Sequence, residues 1–407
     1  MARTYLLSIY VTNLTLRIMI KIIRSSTVPS SLNHFCHGML SELSGKYIVV
    51  GLSSPGEALE EIASREKVRV ISVPMERRIS LKNDIVSLWR LIKVFRKEKP
   101  TMVHSITPKA GMLCMTAAWI TRIPLRVHTF TGLVFPTATG FKRRILMFTD
   151  WLTCQCATHI IPEGQGVKND LQNYRITNKT LKVLGYGNIR GVDLDYYSRR
   201  PEVMQIAEKL RDNTKFTFLF VGRVVKDKGI DELCEAYQRI HDQYPETRCW
   251  LVGNYEDDLD PINSASKELI EQCDNGLVAV GRKTGNELLA YYAAADCFVF
   301  PSYREGFPNT VIEAGAMDLP SIVTDINGSR EIIVESENGT IVPPHNAEAL
   351  YEAMSQMVSH PERLKVIAAK TRQMVASRFE QSYVRKCLYD FYDEIIEEYE
   401  NSRKYHQ

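Results

Sequence analysis

Short runs of β-branched and aromatic residues alternate with longer amphipathic stretches along nearly the whole chain. In the first half these runs are MIKIIR (19–24), KYIVVG (46–51), VRVISV (68–73), TMVHSI (101–106), LRVHTF (125–130) and THIIP (158–162). In the second half they are KFTFLFVG (215–222), TRCWLVG (247–253), LVAVG (277–281), DCFVFPS (296–302), PSIVTD (320–325) and GTIVP (339–343). Their apolar residues are continuous rather than alternating, which predicts parallel strands covered on both faces by the intervening helices. Two such sets predict an α/β protein of two doubly wound, Rossmann-like domains.

Between the sets, KVLGYGNIRGVDLDYYSRRP (182–201) is rich in glycine, tyrosine and polar residues and reads as the linker. The predicted organisation is an extension over 1–18, a first domain over 19–190, a second over 191–380, and a helix over 381–407 long enough to cross back to the N-terminal domain. Two facing open sheets would place the active site in the cleft between them, at the strand C-termini. Residues 1–18 have the apolar look of a signal peptide, but Thr12, Asn13, Arg17 and the lack of a small-residue cleavage site argue against one. The segment reads as a disordered extension or a mis-assigned start.

Composition narrows the class. A chain of 407 residues is too long for one compact core, and 44% hydrophobic with 24% charged residues is ordinary for a soluble globular protein. The nine cysteines are odd in number and scattered from Cys36 to Cys387, and Cys154 and Cys156 lack a second pair to complete a zinc site. They read as reduced thiols in a cytosolic protein. No run of about eighteen apolar residues occurs, which excludes an obvious spanning helix.

The net charge of +3 hides an asymmetry. Residues 1–190 carry 27 Lys and Arg against 11 Asp and Glu, a balance of +16, while 191–407 carry 24 against 37, a balance of −13. The first half therefore faces something anionic or carries a solvated basic surface. Helix-turn-helix, RNP-type and finger patterns are lacking, so nucleic acid is not the expected partner. The segment GFKRRILMFTDWLTC (140–154) and the basic helix from Leu81 to Lys99 fit an anionic membrane surface, or ordinary packing helices with solvated charges.

Two strand ends in the second half carry the chemistry. In VGRVVKDKGI (221–230) a Rossmann turn would have three glycines, yet only Gly222 precedes Arg223 and Lys228. These cations can hold a diphosphate and neutralise charge on a departing phosphate, or can be exposed loop residues. In REGFPNTVIEAG (304–315), an unbroken helix would set Glu305 and Glu313 about 80° apart. Gly306 and Pro308 prevent that, predicting a loop to Phe307 and a helix with Pro308 in its first turn. Such a helix start offers free N–H groups to phosphate, with a hydroxyl-binding acid on each side. That describes a nucleotide sugar, although each acid singly also reads as a solvated charge or a residue favoured by the helix dipole.

The Arg223 and Lys228 turn followed by REGFPNTVIEAGAMDLPSIVTD (304–325) resembles the retaining glycosyltransferases of family 4, group 1, with the GT-B fold. STVPSSL (26–32), VHSITPKAG (103–111) and VHTFTGLVF (127–135) are similar to the branch that builds bacterial capsule, O-antigen and glycan precursors on polyprenyl diphosphate. The resemblance implies that Arg223 and Lys228 hold the donor diphosphate, Glu305 the sugar hydroxyls and Glu313 the ribose. It places Gly222, Gly306 and Phe307 near the donor, Asn309 and Thr310 at the phosphate, and Arg282 and Lys283 at the base. On the acceptor side it points to Ser26, Thr27, His104, Lys109, Thr131 and Gly132. The HxH of some relatives reads His104-Ser105-Ile106 here, which leaves His128 as a second candidate. Pro308 stands where many relatives have glycine, and Ser25, Ser26 and Thr27 replace a glycine-rich first turn.

The implied partners are a UDP-sugar donor, a polyprenyl-diphosphate-linked saccharide acceptor and the inner face of the plasma membrane, where a cytoplasmic protein would bind peripherally. No cofactor or metal is expected, the nucleotide sugar being a substrate. The two DxD matches, Asp193-Leu194-Asp195 and Asp258-Leu259-Asp260, read as turn residues rather than a manganese site. Two other functions share these features: a nucleotide-sugar 2-epimerase of the same two-domain plan, and a non-catalytic nucleotide-sugar-binding subunit.

Overall fold

A computed structural model describes residues 20–76, 80–212, 214–256, 260–272 and 276–404. The predicted extension 1–18, Met19 of the first run, and Asp258 and Leu259 of the second DxD match lie outside the described residues. The described residues divide into two compact units, one of 20–163, 167–190 and 385–404, the other of 164–166 and 191–384.

The first unit holds a parallel sheet of β1 (Lys21–Ser25), β2 (Ile48–Ser53), β3 (Arg69–Ser72), β4 (Met102–Ile106), β5 (Leu125–Phe130) and β6 (His159–Pro162). The second holds β7 (Phe216–Val221), β8 (Thr247–Val252), β9 (Leu277–Gly281), β10 (Cys297–Phe300), β11 (Ser321–Thr324) and β12 (Gly339–Val342), again all parallel. The spatial orders are β3-β2-β1-β4-β5-β6 and β12-β11-β10-β7-β8-β9. Read from the other edge, the second is the same doubly wound order as the first. All twelve apolar runs are strands, with ends shifted by two residues at most. DCFVFPS loses its tail because Pro301 has no N–H to give to a ladder.

Adjacent strand residues in the first unit feed separate cores. Ile22, Val49, Met102 and Ile161 belong to one cluster, while Ile23, Val50, Val103 and Ile160 belong to another. With a side-chain period of two, these clusters are the two faces of one sheet, which is why the strands show no polar alternation. The final helix, Gln381–Lys404, supplies Leu388, Phe391, Tyr392, Ile395 and Ile396 to the first cluster. Their three- and four-residue spacing is the buried stripe of an amphipathic helix.

That helix also closes a buried polar network. Arg24 on β1 is 1% exposed and donates to Tyr392 Oη at 2.7 Å and to His104 Nδ1. A guanidinium only donates, so Nδ1 of His104 accepts and the imidazole proton sits on Nε2, 2.7 Å from Thr129 Oγ1. Burial first, and then the neighbouring guanidinium, hold the His104 pKa well below its ordinary value.

Candidate functional site

In each sheet the strand order reverses between two central strands, β1 and β4 in the first unit and β7 and β10 in the second. At such a switch point the two outgoing loops run apart and leave a crevice at the strand C-termini. Of the sequence-predicted donor residues, Gly222, Arg223 and Lys228 sit on the loop after β7 and Glu305, Gly306 and Phe307 on the loop after β10, which leads to the helix of Asn309, Thr310 and Glu313.

After β7 the chain passes Gly222 and Arg223, makes a 3-10 turn over Lys226–Lys228, and enters the helix Ile230–Gln243 through Gly229 at φ 69°. A side chain on Gly229 would overlap the carbonyl oxygen of Pro301, so the turn is pressed against the loop after β10. The amide of Tyr303 and the hydroxyl of Ser302 both reach Asp227 O, at 2.9 and 3.2 Å, and Arg304 pairs with Asp227 at 2.9 Å. This stitching brings Lys228 Nζ onto Glu305 Oε1, which also accepts from Ser302 Oγ at 2.9 Å. The Lys228 and Glu305 side chains are 13% and 17% exposed, so the pair is shielded from bulk water on most sides.

Arg223 has a different setting. The loop after β8 runs alongside the loop after β7, with Gly222 N donating to Val252 O at 3.0 Å and Val224 N to Asn254 O at 2.9 Å. Gly253 allows this approach, because a Cβ there would overlap Gly222 O. Across the two loops Arg223 Nη1 lies 2.7 Å from Glu256 Oε2. Further along, Asp260 accepts from Asp227 N at 2.7 Å through its carboxylate.

The loop from Pro301 leads to the helix Asn309–Ala316. Pro308 is its cap residue rather than part of its first turn, one position earlier than the sequence predicts, and its carbonyl receives Val311 N at 3.1 Å. As a proline, the cap residue offers no side-chain acceptor to this helix start, and Asn309 and Thr310 are half-buried there. Gly306 and Phe307 are buried, with Phe307 edge-on to Phe379. Gly328, at φ 75°, backs them so closely that a Cβ would lie 2.6 Å from Gly306 O. Glu305 is on the loop and Glu313 inside the helix, where Glu313 is 7% exposed and accepts from Tyr292 Oη at 3.3 Å. Arg282 and Lys283 follow β9 at the sheet edge, two strands from β7, with Arg282 exposed and Lys283 half-buried.

The first unit repeats this plan with other chemistry. Ser26 and Thr27 follow β1, and Thr27 Oγ1 lies 2.7 Å from Thr107 Oγ1 after β4. Lys109, in the first turn of the helix Pro108–Ile120, pairs with Asp84 at 2.5 Å, each side chain about one-tenth exposed. Thr131 and Gly132 are half-buried just after β5. Ser26 and Thr27 are themselves buried, and the two histidines lie within strands rather than on these turns. His104 lies in β4 and His128 in β5, each 1% exposed, and His128 Nδ1 lies 2.8 Å from Ser105 Oγ. Burial holds the His128 pKa down to about 3. Asp193, from the first DxD match, accepts the amides of Asp195 and Tyr196 at 3.0 and 2.9 Å and so shapes a turn.

Sequence reasoning missed Glu256, Asp84, Ser302, Tyr292 and Gly328. Glu256 and Asp84 left no usable signal, since they lie 33 and 25 residues from the cations they meet.

Two family descriptions match the chain, "Glycosyl transferases group 1" over residues 204–374 and "Glycosyl transferase 4-like domain" over 42–187. The capsular polysaccharide biosynthesis glycosyltransferase CapM of Staphylococcus aureus is 31% identical over 351 residues, 86% of this chain and 90% of that protein. The UDP-Gal:alpha-D-GlcNAc-diphosphoundecaprenol alpha-1,3-galactosyltransferase of Escherichia coli is 26% identical over 77% of this chain and 81% of its own. Among solved structures, Anabaena HepE in complex with UDP shares the fold with a TM-score of 0.75 at 16% identity, covering 92% of this chain and all of that one. Two sheets of the same doubly wound order, matched along their length by these descriptions and relatives, make the chain a glycosyltransferase of family 4, group 1, with the GT-B fold.

Proposed function

We propose that the chain moves a hexose or N-acetylhexosamine from a UDP-sugar, with retention, to a lipid-linked saccharide during surface polysaccharide assembly, as in capsule or lipopolysaccharide. The observation that carries the donor side is the convergence of Arg223, Lys228, Glu305 and the start of the helix Asn309–Ala316 on the switch point of the second unit. Cations beside a helix N-terminus suit a diphosphate. Glu305 is the acid for the sugar hydroxyls and Glu313 for the ribose, with Arg282 and Lys283 toward the base.

In this reading the bond between the anomeric carbon and the diphosphate oxygen breaks while the acceptor hydroxyl attacks the same carbon. Lys228 and Arg223 take up the charge that gathers on the leaving diphosphate, whose oxygen receives the acceptor proton. The protein contributes position and electrostatics, without a covalent intermediate and without a metal. A thermal-shift screen of nucleotide sugars is expected to single out UDP-linked donors; stabilisation by a guanine-linked donor instead would overturn the choice of base.

Ser26, Thr27, Lys109, Thr131 and Gly132 are the acceptor-side residues of this reading, in which Lys109, paired with Asp84, is the cation for an acceptor diphosphate. The relatives support it, since the E. coli protein is named for a diphosphoundecaprenol acceptor. The basic first unit would then work at the inner membrane face. Leu81, Ile85 and Trp89 form an exposed stripe on the helix Leu81–Glu98, and Phe141, Phe148 and Trp151 are exposed on the helix Gly140–Cys156. No helix among the described residues is long and apolar enough to span a membrane, so contact would be interfacial. Salt-sensitive co-sedimentation with anionic vesicles is expected, falling several-fold when Phe141, Phe148 and Trp151 become serine; equal sedimentation with neutral vesicles would contradict it.

A further inference from the structure

The second unit gives Arg223 a carboxylate that no motif announces. Glu256 lies on the loop after β8, whose backbone is laddered to the loop after β7 by the bonds from Gly222 N and Val224 N. The approach is fixed at Gly253, where only a hydrogen fits against Gly222 O. Two loops tied at this point present Arg223 and Glu256 to one another, and the contact made is a single one, Nη1 to Oε2 at 2.7 Å. Arginine has five N–H groups, and the edge formed by Nε and Nη2 is the fork that matches two phosphate oxygens. A long side chain that is 49% exposed would otherwise sample many rotamers before meeting a ligand.

We propose that Glu256 is a positioning residue for the donor: it holds Arg223 by Nη1 and leaves the Nε and Nη2 edge ready for the diphosphate. The inference rests on the donor reading of Arg223 given above. Glu256 touches no reacting atom, so its effect passes entirely through the guanidinium. Its own negative charge works against a bound diphosphate, but the pair is half in solvent, where that repulsion is screened.

The test is calorimetric binding of UDP to the full chain and to E256A, E256Q, R223A and the R223A/E256A double variant, with a thermal melt of each. E256A is expected to weaken UDP about tenfold with the melting temperature kept. E256Q, whose amide oxygen can still accept from Nη1, is expected to stay within about twofold of the parent. In the R223A background, E256A is expected to add nothing. Unchanged or tighter binding by E256A, or a full tenfold loss added on top of R223A, overturns the role of Glu256. Parent-like UDP binding by R223A overturns instead the donor reading on which it rests. A lowered melting temperature in E256A with E256Q intact keeps the test on E256Q and the double variant, whose outcomes decide in the same way.

Discussion

Replacing Lys228 by alanine is expected to lower kcat by at least a hundredfold, about 3 kcal/mol, the loss typical of a single charge-stabilising donor. The ammonium lies in a largely shielded position against Glu305 and beside the Phe300 ring, where bulk water has little access to take over its charge. On the proposed donor reading, removing it would withdraw a cation from the diphosphate, and it would take from Glu305 its ion-pair partner while the bond from Ser302 remains. Both effects fall on the transition state more than on folding, because the pair sits in a loop rather than in the core. Steady-state rates with saturating donor and acceptor check this, and turnover close to the parent would remove Lys228 from the reaction.

Ending the chain at Val384 is expected to unfold the first unit. The deleted helix carries Leu388, Phe391, Tyr392, Ile395 and Ile396, all buried on one face of the first sheet. At roughly 1.5–3 kcal/mol for each large apolar side chain, their loss is of order 10 kcal/mol, comparable with the whole stability of a domain. It would also strip Tyr392 from Arg24, leaving a buried guanidinium with fewer partners. Loss of the cooperative melt, or recovery only as aggregate, is the expected outcome. A truncated chain whose two units both melt cooperatively near the parent temperatures would show that the helix is dispensable.

How much of this was readable beforehand depended on whether the information is local. A parallel strand buried on both faces is a continuous apolar run, so the runs marked all twelve strands among the described residues. The break at Gly306 and Pro308 likewise separated Glu305 from Glu313 by backbone chemistry alone. The same two-sided burial made His104 and His128 unreadable. Where neither face is wet, the pattern cannot say whether a strand histidine looks out or in, and both look in. The counter-ions were hidden for another reason. Arg223 and Glu256 are 33 residues apart and meet only because two loops are laddered together, while Lys109 and Asp84 meet across two helices 25 residues apart. No spacing rule carries such a contact, which exists only once the sheet order is set.

The proposed reaction carries a sugar from UDP to an acceptor hydroxyl. The most direct measurement is release of UDP from UDP-sugars by the full chain, with and without a polyprenyl-diphosphate-linked saccharide, together with the anomeric configuration of any product. Release that requires the acceptor, with a lengthened saccharide of retained configuration, is the predicted result. A UDP-sugar returned as its 2-epimer without acceptor, or bound with no turnover on any acceptor offered, would contradict it.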